Sequence, residues 1–129
     1  MIKHGEPPYL ECSSRGDRRY SAYFARLPYR NYRTIEDLYQ SFKIFPPTTE
    51  GVNATGNMLN WKDAKGKAAI NQVEAAAFYE QLWREYLSEN SVLLEPLMKA
   101  SGLSDMFGQP GSVCQATVLW KLRSELLLK

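Results

Sequence analysis

The sequence predicts a mostly helical α+β domain with a small β element in its first third, and three observations favour this fold class. The chain has 129 residues, 44% hydrophobic and 23% charged, which suits one compact core and is too short for two. Apolar residues recur at helical spacing from residue 34 onwards. The first 33 residues are instead rich in aromatic and turn-forming residues, which are typical of short strands and loops. We therefore expect a single domain over residues 1–129.

The first third is expected to contain the strands. Residues 1–9 form a predicted loosely held leader that ends in Pro7 and Pro8. The polar, turn-rich composition of residues 13–19 indicates an exposed loop. The predicted order is a strand at 9–12, the loop at 13–19, an aromatic-rich strand at 20–26 and a turn at 27–33.

The clearest helix is predicted from Thr34 to Phe45. Thr34 can cap its amino end, and Asp37 completes a pair that resembles a capping box. The two prolines that follow prevent its continuation. Helical spacing predicts an apolar stripe that faces the core and an adjoining polar row. The stripe comprises Ile35, Leu38, Tyr39 and Phe42, and the row comprises Glu36, Gln40 and Lys43.

The rest of the chain is predicted as helices joined by loops. The longest helix has a capping-type start at Asn71 and continues to about Ser88. Its apolar positions share one face, and so do those of the last helix. These positions are Ala75, Phe78, Leu82 and Tyr86 in the former, and Leu119, Leu122 and Leu126 in the latter. The other predicted elements are a loop at 48–59, a short helix at 60–66, a helix at 91–100 ended by Gly102, a loop at 104–112 and the last helix at about 113–128.

Composition excludes several kinds of site. His4 is the only histidine and lies in the predicted leader, so a Ser-His-Asp or Cys-His site is not expected. Cys12 and Cys114 form neither a disulfide framework nor a zinc cluster, and we expect two reduced thiols in a cytoplasm. The amino end of the sequence lacks the apolar core of a signal peptide, and the sequence contains no apolar run of membrane-spanning length and no glycine-rich phosphate loop. Acid–base chemistry therefore depends on carboxylates, lysines or tyrosines, without a metal or organic cofactor.

Two clusters are candidate functional sites. The polar row of the Thr34 helix brings a carboxylate, an amide and an amine together beside the apolar stripe, which would suit an active site. The alternative interpretation is that this row is only the solvated face of an amphipathic helix. The arginines of the loop at 13–19 could hold a phosphate through bidentate hydrogen bonds, or serve only as solubilising charges. The formal net charge of +2 does not by itself indicate nucleic acid. The candidates are Glu36, Gln40 and Lys43, and Arg15, Arg18 and Arg19.

Residues 34–43 resemble the Thr-Val-Glu-His-x-Tyr-Gln-Ala-x-Lys signature of the NADAR family, also called YbiA-like. Other segments match in the family's order and extend the resemblance over about residues 20–126. Residues 20–23 resemble Phe-Ser-Asn-Phe, 63–67 resemble Glu-Ala-Lys-x-x-Gly-Arg, 86–93 resemble Lys-Phe-x-Gln-Asn-Pro-x-Leu, 107–108 resemble Trp-Gly, and 119–123 resemble Leu-Met-x-Val-Arg.

The resemblance implies a YbiA-like fold and an N-glycoside hydrolase. Such an enzyme cleaves the bond between a ribose, as ADP-ribose or ribose phosphate, and a base-like heterocycle. The substrate is a nucleotide-like small molecule or ADP-ribosylated guanine in nucleic acid. Lys43 would form a Schiff base with the anomeric carbon and Glu36 would act as general acid/base, since apolar neighbours favour a neutral, nucleophilic lysine. The expected substrate-binding residues are Gln40, Arg15, Arg18, Arg19, Ser21, Tyr23, Asp105, Phe107 and Gly108.

Three departures from the family pattern indicate a divergent member. We expect it to belong to a phage-encoded branch, and in that case to act in the host cytoplasm. Ala22 replaces an asparagine, Asp37 replaces a histidine, and Asp105 lies one residue closer to Gly108 than the family's aspartate. Asp105 can equally cap a turn. Two other functions stay open: an inactive binder of ADP-ribose-like nucleotides, and a small interaction protein that contacts a host protein or DNA.

Overall fold

The computed structural model describes residues 1–44, 72–109 and 113–128, excluding the side chains of residues 43, 44 and 72. Within these ranges the chain is an α+β domain with four α-helices and five short strands, which confirms the predicted class. The strands are β1 (Ile2–Gly5), β2 (Tyr9–Glu11), β3 (Arg26–Leu27), β4 (Arg33–Thr34) and β5 (Gly102–Asp105). The helices are α1 (Ile35–Ile44), α2 (Gln72–Glu89), α3 (Leu94–Lys99) and α4 (Gln115–Leu127).

Helix α1 forms where its cap and apolar stripe predict it. The Thr34 Oγ1 accepts a hydrogen bond from the Asp37 N–H at 3.1 Å, which satisfies a donor at the first turn. The stripe packs on α2 through two aromatic pairs. The pairs are Phe42 with Phe78 at 4.5 Å and Tyr39 with Tyr79 at 5.0 Å between ring centroids. The predicted last residue of the helix, Phe45, lies outside the described residues.

Helix α2 confirms the longest predicted helix, and its four predicted apolar positions are buried. The predicted helix at 91–100 is divided into a 3₁₀ turn at Ser91–Leu93 and helix α3, which ends at Lys99. In α4, Leu119 and Leu122 are buried as predicted, and Leu126 is half-buried. The predicted loop at 48–59, the short helix at 60–66 and the cap at Asn71 lie outside the described residues.

The prediction of a loop from residue 104 to residue 112 is wrong at its start, because β5 extends to Asp105. This strand is the centre of a three-stranded sheet in the order β1-β5-β2. It pairs antiparallel with β1, with Ile2 opposite Asp105, and parallel with β2, with Tyr9 opposite Gly102. Its own sequence is short and polar, so the two partner strands determine its conformation.

The prediction that residues 1–9 form a loose leader is also wrong for residues 2–5, which form β1. The strand is fixed by its pairing with β5 and by contacts with α4. The His4 Nε2 lies 3.0 Å from the Thr117 Oγ1, and the imidazole ring stacks with Trp120 at a centroid distance of 6.2 Å.

Residues 20–26 do not form the predicted strand. The Ser21 carbonyl accepts hydrogen bonds from the N–H groups of Phe24 and Ala25, which makes a turn, and only Arg26 of this segment is in a strand. The turn follows a 3₁₀ segment at Arg18–Tyr20, in which Tyr20 is buried and its hydroxyl donates to the Leu93 carbonyl at 2.7 Å. Burial of this tyrosine therefore takes precedence over the β propensity of the aromatic residues.

Candidate active site

A cleft of about 150 Å³ lies where the amino ends of α1 and α4 meet the carboxyl end of β5. Its walls include carboxylates, an amide, phenols and an aromatic ring. The structure thus brings together residues from positions 23 to 115 of the chain. Five residues that the sequence singled out line this cleft: Tyr23, Glu36, Asp105, Phe107 and Gly108.

Glu36 reaches the cleft from the first turn of α1. Its backbone N–H donates to the Ala22 carbonyl at 3.0 Å, which ties the helix to the turn that carries Tyr23. The Gln40 Nε2 donates to the Glu36 Oε1 at 2.8 Å, as expected for residues four apart on a helix. Glu36 is only 8% exposed. This burial contradicts the alternative in which Glu36 belongs to a solvated helix face.

Asp105 is the last residue of β5 and is 2% exposed. Its Oδ1 accepts a hydrogen bond from the Phe107 N–H at 3.0 Å, and its Oδ2 accepts one from the Gln115 Nε2. The Gly108 N–H donates to the Asp105 carbonyl at 3.1 Å. Asp105 therefore closes a tight turn, as one of its two predicted roles requires, and its buried carboxylate also lines the cleft. A contact with substrate stays a prediction.

The loop after β5 is held by a second carboxylate, that of Glu11. Its oxygens accept hydrogen bonds from the Ser104 hydroxyl at 2.8 Å and the Met106 N–H at 2.9 Å. Burial raises the pKa of Glu11, but these bonds and those from Ser13 outweigh it, and the pKa is below its ordinary value. An ionised Glu11 thus fixes the segment that positions Asp105 and Phe107.

Gln115 is a cleft residue that the sequence reasoning missed. The Ala22 N–H and the Tyr79 hydroxyl donate to its Oε1 at 3.2 and 3.5 Å, while its Nε2 donates to Asp105. The side chain is buried. In the sequence it appears only as a polar residue near the start of the last predicted helix, where it resembles an ordinary cap. Ala22, which stands where the resemblance expects an asparagine, therefore contacts an amide that the α4 helix supplies.

The two phenols of the cleft stay protonated under ordinary conditions. Burial raises the pKa of Tyr23 to about 12, and the negative charges of Glu36 and Asp105 add to this effect. Burial likewise raises the pKa of Tyr79 well above its ordinary value. Tyr23 can therefore donate a hydrogen bond, but it is not a base near neutral pH.

The remaining predicted residues of the polar row are arranged along α1. Gln40 contacts Glu36, as described above. Lys43 lies on α1 seven residues after Glu36, and its side chain is outside the described part of the structure. Ser21 is buried, and its hydroxyl accepts a hydrogen bond from the Tyr23 N–H at 3.4 Å, so it supports the turn that carries Tyr23.

The three predicted phosphate-binding arginines are outside the described lining of the cleft. The Arg18 guanidinium stacks on the Phe24 ring, with its Cζ 4.6 Å from the ring centroid. Arg19 forms an ion pair with Asp17 at 2.7 Å and lines a different groove, beside β2 and α3. Arg15 is exposed on the same loop.

Comparison of the chain with models of protein families, with curated proteins and with solved structures finds no match. The resemblance to the NADAR family therefore stays a prediction. In the ranges 1–44, 72–109 and 113–128 there is no cluster of three or more side chains suited to a metal ion. No helix in those ranges is both long enough and apolar enough to span a membrane.

Proposed function

We propose that the protein hydrolyses the N-glycosidic bond between a ribose and a base-like heterocycle, and that it does so in this cleft. The observation that carries the proposal is the burial of two carboxylates, Glu36 and Asp105, in one cleft with the protonated phenol of Tyr23. Glycoside cleavage requires a proton donor for the leaving group and negative charge near the cation-like sugar of the transition state. The cleft supplies both kinds of group.

In the proposed reaction Lys43 is the nucleophile and Glu36 the general acid. The lysine amine forms a bond to the anomeric carbon as the bond to the base breaks, and protonated Glu36 gives its proton to the leaving nitrogen. Opening of the ribose ring then yields an imine, which water hydrolyses to free the sugar and the amine. Residues 36 and 43 are two helical turns apart, about 10 Å along the axis, which leaves room for a ribose between them.

Other residues of the cleft would bind the substrate. Phe107 is exposed at its edge and can stack on the heterocycle. Gln40 is outside the described lining of the cleft but contacts Glu36. Its Oε1 is buried and accepts no hydrogen bond from the described residues, so a ribose hydroxyl is a suitable donor to it. Asp105 is held by the loop and by Gln115, and its negative charge would stabilise the developing positive charge on the sugar. We propose ADP-ribosylated guanine in nucleic acid and a ribosylamino-pyrimidine phosphate as the first substrates to test.

The test is mass spectrometry after incubation with each substrate in the presence of borohydride, which reduces an imine to a stable adduct. We expect release of the free base and a sugar adduct that maps to Lys43. Glu36→Gln should lower turnover by about 10²- to 10⁴-fold, the usual contribution of a general acid. Lys121→Ala is the matched control, because this lysine is exposed on α4 and pairs with Glu80 outside the cleft.

Two outcomes would change the proposal. Full turnover by Lys43→Ala would reject the lysine as nucleophile while retaining the cleft. Failure of every substrate to release its base, together with thermal stabilisation by ADP-ribose, would indicate an inactive nucleotide binder. One observation favours that second function: both Asp105 carboxylate oxygens and one Glu36 oxygen already accept hydrogen bonds from the protein.

A further inference from the structure

The positive charge of the chain is concentrated in one short stretch. Residues 15–33 contain six of the eight arginines and a single acidic residue, so they carry a net charge of +5 in a chain of net charge +2. The rest of the chain is therefore acidic overall. The stretch lies just before α1, and most of its arginines are exposed: Arg15, Arg18, Arg19 and Arg26.

Exposed aromatic rings occur in the same stretch. Tyr32 is 65% exposed, Tyr29 is 55% exposed and Phe24 is 39% exposed. In the described part of the chain, the only other large exposed ring is that of Phe107 at the cleft. Large aromatic rings usually contribute by burial, so three exposed rings in nine residues indicate a binding surface. Two contacts join members of this stretch: the Arg18 guanidinium lies on the Phe24 ring, and Arg26 donates to the Tyr32 carbonyl. We call Arg18, Phe24, Arg26, Tyr29 and Tyr32, which lie within 15 residues of the chain, the arginine–aromatic face.

The backbone that presents Tyr32 is strained. Its φ is +56°, and that of Asn31 is +58°. Asparagine tolerates this region, whereas a bulky aromatic residue adopts it only under strain. The conformation is held by the Tyr32 N–H, which donates to the Leu27 carbonyl at 3.1 Å, and by Arg26, whose side chain donates to the Tyr32 carbonyl at 2.8 Å. The fold thus retains an unfavourable backbone geometry at a ring that points largely into solvent.

Most of the positive charge is not neutralised by the protein itself. Asp17 pairs with Arg19, and Glu85 pairs with the buried Arg30. The other four arginines of the stretch form no ion pair with a carboxylate of the described residues. They are Arg15, Arg18, Arg26 and Arg33.

We propose that the arginine–aromatic face binds single-stranded nucleic acid. Unpaired bases stack on exposed aromatic rings, and guanidinium groups pair with the phosphates between them. An acidic protein partner would be attracted by the arginines, but it would not account for three exposed aromatic rings. A nucleic-acid duplex is also disfavoured, because its bases are stacked on one another and are not available to stack on the rings. The face immediately precedes α1, because Arg33 is three residues before Glu36. The stretch that carries the face therefore leads into the helix that carries a cleft carboxylate.

The proposal does not depend on the proposed glycosidase activity, because unmodified oligonucleotides test it. Fluorescence anisotropy with a labelled oligothymidine of about 15 nucleotides should show binding that weakens between about 50 and 200 mM salt. Tyr32→Gly should weaken binding by about 5- to 100-fold, the effect of losing one stacked base. It should not lower the melting temperature, because glycine adopts the positive φ without strain. Tyr32→Phe keeps the ring and should bind like the wild type.

Two variants test the contribution of charge. Arg84→Ala removes one exposed arginine from α2, outside the face, and should leave binding unchanged, whereas Arg18→Ala should reduce the salt slope by about one. The assay uses unmodified oligonucleotides and measures no turnover, so a failure of catalysis and a failure of strand binding are distinguishable. Absence of binding at low salt would overturn the proposal. The proposal would also be overturned if Arg84→Ala weakened binding as much as Tyr32→Gly does. Tighter binding to duplex than to the single strand, or equal affinity for polyglutamate and oligothymidine, would overturn it too.

Discussion

At the scale of single residues, Gln115 determines how the polar groups of the cleft are arranged. Its carboxamide binds Asp105 on one side, and the Ala22 N–H and the Tyr79 hydroxyl on the other. These three partners come from three different parts of the chain, and all are buried. A buried donor or acceptor that loses its partner destabilises the protein, so the whole group depends on one side chain.

Replacing Gln115 should therefore have a large effect on stability. Gln115→Ala leaves up to three buried groups without this partner, and we expect a loss of about 3 kcal/mol in the free energy of unfolding. Urea denaturation measures it. Gln115→Met, which also removes the hydrogen bonds but fills more of the space, separates the polar effect from the cavity effect. A loss below about 1 kcal/mol for both variants would show that the amide is dispensable.

Gln115→Glu should make stability depend on pH in a defined direction. The new carboxyl group lies beside the buried Asp105, so burial and like charge raise its folded pKa above its unfolded value of about 4.3. The variant is then most stable below that value and loses stability as the pH rises through the folded pKa. Urea denaturation between about pH 4 and 8 measures this. Curves for variant and wild type that run parallel across this range would contradict the prediction.

At the scale of elements, α1 combines a local signal with a tertiary role. Its cap and its apolar stripe are readable in the sequence because both depend on residues within one or two turns of each other. The same first turn places Glu36 in the cleft. The geometry of the candidate site thus depends on how firmly this helix begins.

Thr34→Ala tests that dependence. Loss of the bond from the Thr34 hydroxyl to the Asp37 N–H should lower the free energy of unfolding by about 1 kcal/mol. It should also reduce affinity for any ligand of the cleft, because the first turn of α1 frays. Thermal unfolding and ligand titration measure the two effects. Thr34→Ser keeps the hydroxyl, and an equal loss in that variant would assign the effect to packing of the buried methyl group.

The contact between Arg30, in the turn before α1, and Glu85 of α2 should weaken at low pH. Burial raises the pKa of Glu85, but the hydrogen bonds from Arg30 and two neighbours outweigh it and the pKa is below its ordinary value. The ionised carboxylate therefore stabilises the fold at neutral pH, and this stabilisation is lost as the pH falls through the folded pKa. Glu85→Gln should flatten the fall in stability below about pH 4.5, as followed by urea denaturation. Glu95→Gln, at an exposed pair with Lys99, should not change the curve.

At the scale of the whole molecule, the three-stranded sheet connects the start of the chain to the cleft. Strand β5 ends in Asp105 and is held on both sides by strands from the first eleven residues. The amino terminus is therefore part of the support for a candidate catalytic carboxylate, although it lies far from it in sequence.

Removal of residues 1–5 should destabilise the protein and disturb the cleft. The deletion exposes one edge of β5 and removes Ile2, which packs against the core, so we expect a loss of at least about 2 kcal/mol. Thermal unfolding gives the stability, and the same ligand titration reports on the cleft. Lys3→Ala, which alters one side chain of the strand and keeps the backbone pairing, is the control. An unchanged melting temperature of the truncated chain would contradict the assigned role of β1.

The sequence predicts the parts of the fold and site that have local causes. Helices α1 and α2 have periodic apolar faces, and the motif of α1 contained Glu36. Strands β1 and β5 were missed because neither has a strong β propensity of its own, and pairing across about a hundred residues creates both. Gln115 was missed for the same reason, since its partners are defined only by the folded chain.

The order β1-β5-β2 has a consequence for how the protein is made. A ribosome releases the chain from its amino end, so the first two strands leave the exit tunnel long before β5. These two strands do not pair with each other in the folded protein, and both pair with β5, which is synthesised later. The sheet therefore closes only after translation has passed residue 105, through contacts of high sequence separation that are slow to form. Until that moment residues 2–5 and 9–11 have no partner strand, and their backbone N–H and C=O groups are open to other chains.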